Sequence, residues 1–67
     1  MKALSMSELA ILYFPHSSVK SASVQLKRWI TYNRALQEEL NATGYRNGQR
    51  ILTPKQVNLI IHYLGEP

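Results

Sequence analysis

The chain has 67 residues, a formal net charge of +4 and no cysteine, which limits it to one domain and excludes disulfide staples and thiolate metal sites. Hydrophobic residues make up 45% of it, enough for a compact core, but one that at this length nets only about 3–5 kcal/mol. Between Lys20 and Arg50 six bases face two acids, a balance that favours a polyanionic partner.

Lys2 supplies a positive charge near the N-terminus, but Ser5, Ser7 and Glu8 interrupt the apolar residues after it. The apolar run over residues 9–14 is too short for the core of a signal peptide or for a membrane span. The expected location is the cytoplasm, without membrane association.

Ser5-Met6-Ser7-Glu8 has capping-box spacing, a hydroxyl at the N-cap and a carboxylate three residues on. Leu9, Leu12 and Tyr13 come next at helical spacing, and Pro15 stops the helix because the residue before a proline avoids the α region. The first helix is therefore expected over residues 6–13, with Phe14 packed into the core at the turn.

After Pro15 and His16, either Ser17 or Ser18 can cap a second helix. Ala22, Leu26, Trp29 and Ile30 fall on one face at i, i+4, i+7 and i+8, so Trp29 is expected in the core. Two polar strips flank that face: Lys20, Ser23, Lys27 and Thr31 form one, and Ser21, Gln25, Arg28 and Tyr32 the other.

Asn33 can cap a third helix over residues 34–41, with Leu36 and Leu40 as its apolar pair and Glu38 and Glu39 facing water. Asn41 or Gly44 can end it in the left-handed conformation. Asn47-Gly48 is a strong hairpin signal, with arms expected at residues 43–46 and 49–52. Tyr45 is assigned a structural role, packing the base of this hairpin onto the core.

The last helix opens on Thr53-Pro54-Lys55-Gln56, which supplies an N-cap hydroxyl, proline at N1 and glutamine at N3. Val57, Ile60, Ile61 and Leu64 mark its apolar stripe, and Gly65 ends it. The expected fold is mainly α: a single helix-turn-helix domain over residues 1–67, with a short β-hairpin wing and a C-terminal helix.

The stretches Ser7-Glu8-Leu9-Ala10 and Leu26-Lys27-Arg28-Trp29-Ile30 resemble the opening of winged-helix proteins of the MerR and excisionase type. Gly44-Tyr45-Arg46 and the segment from Arg50 to Val57 are similar to their wing and the capped helix after it. The turn departs from their pattern by lacking a Gly-Val pair, and the third helix is longer than their usual link. The whole chain also resembles a family of short bacterial proteins whose shared domain has no assigned activity, through Met6-Ser7-Glu8-Leu9-Ala10, Tyr13-Phe14-Pro15, Lys20-Ser21-Ala22 and Leu64-Gly65-Glu66-Pro67.

The winged-helix resemblance implies DNA as partner, with the second helix in the major groove. Lys20, Ser21, Ser23 and Gln25 then stand near base edges, Lys27 and Arg28 near phosphate, and Arg46 and Arg50 on the wing against backbone or minor groove. The same residues also suit a solvated helix face and turn-flanking solubilisers. A competing expectation is a protein-interaction module or homodimer, using an apolar patch around Leu59 and Tyr63 of the last helix. His16 and His62 have no neighbouring cysteine or paired carboxylate in the sequence, and no serine has a histidine–acid arrangement about it. Neither an enzyme, nor a metal site, nor a cofactor is expected.

Overall fold

The computed structural model describes residues 4–46 and 49–67. Its elements, in chain order, are β1 (Leu4–Ser5), α1 (Met6–Tyr13), α2 (Val19–Tyr32), α3 (Arg34–Ala42), β2 (Ile51–Leu52) and α4 (Pro54–Leu64). The fold is mainly α, a helix-turn-helix with a short two-stranded antiparallel ribbon and a C-terminal helix.

Local chemistry sets each helix start. The Ser5 N–H donates to Glu8 Oε1 at 2.9 Å and the Glu8 N–H donates to Ser5 Oγ at 3.0 Å, which completes the expected capping box. Ser18 rather than Ser17 caps α2, accepting from the Ser21 N–H. Asn33 caps α3 through its Oδ1. Thr53 and Gln56 form a second reciprocal box at α4, with Pro54 at the first helical position. Each cap satisfies N–H groups that have no partner within the helix.

The core takes Met6, Leu9 and Ala10 from α1, Ala22, Leu26 and Ile30 from α2, Leu36 and Leu40 from α3, Leu52 from β2, and Val57 and Ile60 from α4. Burying each of the larger side chains stabilises the fold by about 1.5–3 kcal/mol before chain entropy is counted. Phe14 and Tyr45 pack against this cluster as expected. Trp29 does not join it. It remains 42% exposed, because the core-facing arc of α2 is the narrow Ala22–Leu26–Ile30 row and Trp29 lies to one side, its ring 4.8 Å from that of Phe14. Leu12 is exposed as well, on the outer side of α1.

The antiparallel ribbon is present, but its strands differ from those expected. β2 pairs with β1, in the register Leu4 to Leu52 and Ser5 to Ile51, and not with residues 43–46. The backbone N–H groups of residues 43–45 are already committed to ending α3. Thr43 and Tyr45 donate to Leu40 C=O, and Gly44 donates to Asn41 C=O. Gly44 makes this closure possible with a φ of +89°, a region that side chains with a Cβ avoid. Asn47 and Gly48 lie outside the described residues. The residues flanking them are joined by a 3.0 Å bond from the Gln49 N–H to Arg46 C=O.

One buried polar cluster ties the ribbon to the helices. Gln56 is only 2% exposed. Its Oε1 accepts from the Thr53 N–H (3.0 Å) and Gln49 Nε2 (2.8 Å), and its Nε2 donates to Thr43 Oγ1 at 2.9 Å. Gln49 also donates to Ile51 C=O and accepts from the Arg46 N–H through its side chain. The end of α3, the ribbon and the start of α4 are thereby joined through two glutamine amides.

Candidate nucleic-acid interface

At about 100° per residue, the core row of α2 leaves an outward arc centred on Val24. Lys20, Ser23 and Lys27 lie on one flank of that arc, and Ser21, Gln25 and Arg28 on the other. Sequence spacing separates these strips, but only the fold decides which of them meets the ribbon.

Ser23 and Lys27 do so. They line a groove of about 450 Å³ whose other walls include Ser5 and Ser7 at the start of α1 and Gln49 and Arg50 beside β2. Arg50 is held there by its backbone, since its C=O accepts the Met6 N–H at 2.7 Å. The Glu8 carboxylate is bonded to the Ser5 N–H at the same helix start. Lys27 also borders a second hollow of about 300 Å³ with Thr31, Asn41 and Tyr45. Burial of the Tyr45 ring pushes its phenol above the ordinary value. Lys20 is exposed one turn earlier on the same strip.

The remaining expected residues are placed differently. Gln25 is partly buried and turned back along its own helix, where its Nε2 donates to Ser17 Oγ (3.3 Å) and Ser21 Oγ (3.4 Å). Ser21 and Arg28 are on the flank away from the groove, where Arg28 is exposed. Arg46 is exposed at the approach to the ribbon, with its backbone N–H on the Gln49 side chain.

Two further acids are engaged elsewhere. Glu39 accepts from the Tyr63 hydroxyl, a bond that raises the Tyr63 phenol together with desolvation and the carboxylate charge. Glu66 lies near Tyr13, whose phenol is raised first by burial and then by that charge. The Tyr13 hydroxyl donates to Gly65 C=O, so α1 and α4 meet at their C-terminal ends. The groove lies at the opposite end, where α1 begins and β1 pairs with β2.

Sequence reasoning missed three residues of this surface. Val24 is 44% exposed at the centre of the outward arc, and Ser7 and Gln49 line the groove. Val24 was legible from its position opposite Ala22 and Leu26; Ser7 and Gln49 depend on a strand pairing that two-residue strands do not announce. Leu59 and Tyr63, the residues of the expected apolar patch, keep only part of their surface open. Both are partly buried against the core, and the exposed aromatic residues are instead Trp29 and Tyr32. Among the described residues no three His, Cys, Asp or Glu side chains converge, and no helix is long and apolar enough to cross a membrane.

No curated protein and no solved structure matches this chain. The family model described as "Domain of unknown function (DUF4248)" matches residues 1–67, and the chain belongs to that family.

Proposed function

We propose that this member of the DUF4248 family is a DNA-binding module, a small regulator or an accessory factor of the architectural or excision type, which docks α2 in the major groove and the ribbon alongside it. One observation carries the reading: Ser23 and Lys27 of α2 and Arg50 of the ribbon line a single groove, although 23 residues separate Lys27 from Arg50 in the chain. A winged helix-turn-helix of the MerR or excisionase type uses this pairing of recognition helix and wing, and the sequence resemblance points the same way.

In this mode Lys20, Lys27, Arg46 and Arg50 meet phosphate, where compact or forked cations release condensed counterions. Val24 and Ser23 face base edges, Val24 suiting the methyl group of thymine and Ser23 either a donor or an acceptor. Gln25 reads no base unless it gives up its bonds to Ser17 and Ser21. Arg34 lies beside the aromatic hollow at the far end of α2 and takes no part.

Titration of a fluorescent duplex across a salt series tests the proposal. Four phosphate contacts give a slope of log K against log salt of about −3 to −4. Lys27→Ala and Arg50→Ala should each flatten it by about 1, while Arg34→Ala leaves it unchanged. Binding weaker than about 10⁻⁴ M at low salt, or equal effects of all three substitutions, refutes the assignment.

A further inference from the structure

Resting on the DNA reading, we infer that the strand held by Arg50 and Lys27 runs on along α2 to α3, where the side-chain amides of Gln37 and Asn41 form a second, uncharged contact with its sugar–phosphate chain. Lys27 is the link between the two places. It lines the groove of about 450 Å³ together with Ser23 and Arg50. It also lines the hollow of about 300 Å³ that Thr31, Gln37, Asn41 and Tyr45 surround. The two concavities therefore meet at the Lys27 side chain and follow the Ser23–Lys27–Thr31 strip of α2. At about 1.5 Å per residue that strip is about 12 Å long, and at about 3.4 Å per nucleotide it spans roughly three or four nucleotides of one strand.

The chemistry of the second hollow suits that occupant. Gln37 and Asn41 stand at i and i+4 on α3, so one flank of the helix carries both amides, and both line the hollow beside α2. Each is exposed, and neither side chain bonds to another described residue. Other amides of the chain are engaged within the fold: Gln25 with Ser17 and Ser21, Asn33 in the cap of α3, and Gln49 with Gln56. A free amide offers two N–H donors, and asparagine and glutamine are among the residues that bond phosphate and sugar oxygens in DNA complexes.

The surroundings favour a polyanion over an apolar partner. Among the described residues no acid lines either concavity. Glu39 is bonded to Tyr63, and Glu38 is exposed outside the hollow. Ile30, the aliphatic residue of the lining, is buried, so an apolar side chain would find little to cover.

An amide adds affinity without adding charge, so its removal lowers K and leaves the salt dependence alone, whereas removal of a cation changes both. Titration of a fluorescent duplex across a salt series separates the two. Gln37→Ala combined with Asn41→Ala should weaken binding about tenfold at an unchanged slope. The circular-dichroism spectrum should also be unchanged, because alanine suits both exposed helical positions. Gln37→Lys should steepen the slope by about 1. Asn58→Ala, which removes an exposed amide of α4 outside both concavities, should alter nothing. A double alanine variant that binds like wild type, a Gln37→Lys variant with the wild-type slope, or an equal loss on Asn58→Ala overturns the contact on α3. If Lys27→Ala and Arg50→Ala still flatten the slope in that case, the DNA reading stands without it. A wild type that binds no duplex removes both.

Discussion

Replacing Gln56 with leucine tests how the ribbon is held. The side chain makes three bonds to other groups: it accepts from the Thr53 N–H and Gln49 Nε2 and donates to Thr43 Oγ1. Leucine fills much of the same space and makes none of them. Thr53 is exposed and Thr43 and Gln49 are partly buried, so water can reach part of what is left open. Each lost partner then costs about 1 kcal/mol, the lower end of the range for an unsatisfied group. Extra apolar burial returns about 1 kcal/mol, and the net loss is about 2 kcal/mol. In a chain of this length that is close to half the total stability. Urea denaturation monitored by circular dichroism should move its midpoint down by about 2 M, given a slope near 1 kcal/mol/M. Gln56→Glu separates bonding from shape. It keeps both accepted bonds and, when protonated, can still donate to Thr43. Burial raises its carboxyl pKa, so its deficit against wild type should shrink as pH falls through that value. A leucine variant within about 0.5 kcal/mol of wild type would refute the claim that this amide cluster joins the ribbon to the helices.

Ser5→Ala and Thr53→Ala should each cost about 0.5–2 kcal/mol, because each removes an oxygen that closes a capping box; thermal melts should fall by about 4–8 °C per kcal/mol lost. Gly65→Ala should destabilise by about 1–3 kcal/mol although a Cβ there meets nothing within 4 Å, since the whole cost comes from holding φ +89° with ψ 167°, a region essentially reserved for glycine; a neutral result would mean that the end of α4 relaxes. Tyr45 and Tyr13 have phenols raised above the ordinary value of 10.0 in the folded chain. Between the unfolded and folded values the native state holds more protons, so stability is full below about pH 10 and falls as pH rises beyond it. Tyr45→Phe should make that fall shallower in alkaline denaturation curves, and an unchanged slope would contradict burial as the cause.

Much of the fold was legible because its information is local. Capping side chains at Ser5, Ser18, Asn33 and Thr53, and the stops at Pro15 and Gly65, fix the helix ends within a few residues of chain. The ribbon was half legible. Ile51–Leu52 does form a strand, but its partner Leu4–Ser5 reads in sequence only as the approach to a helix cap. A two-residue strand has no alternation to show, and the carbonyls at the end of α3 claimed the N–H groups that the expected arm needed. Trp29 misled because i, i+7 spacing on α2 marks a face without giving its width. In the candidate site, the two polar strips of α2 emerged from spacing, whereas the choice of Ser23 and Lys27 over Ser21 and Arg28 as neighbours of Arg50 came only from the long-range pairing of β1 with β2.

The central claim is that one side of the molecule, where α2 passes the ribbon, carries the contact with DNA. Amide chemical-shift mapping of the labelled chain during titration with a short duplex addresses it residue by residue. Lys20, Ser23, Val24, Lys27 and Arg50 should shift most, while Glu39, Tyr63 and Lys55 stay still. Shifts confined to α4, or spread without regard to the groove, would contradict it.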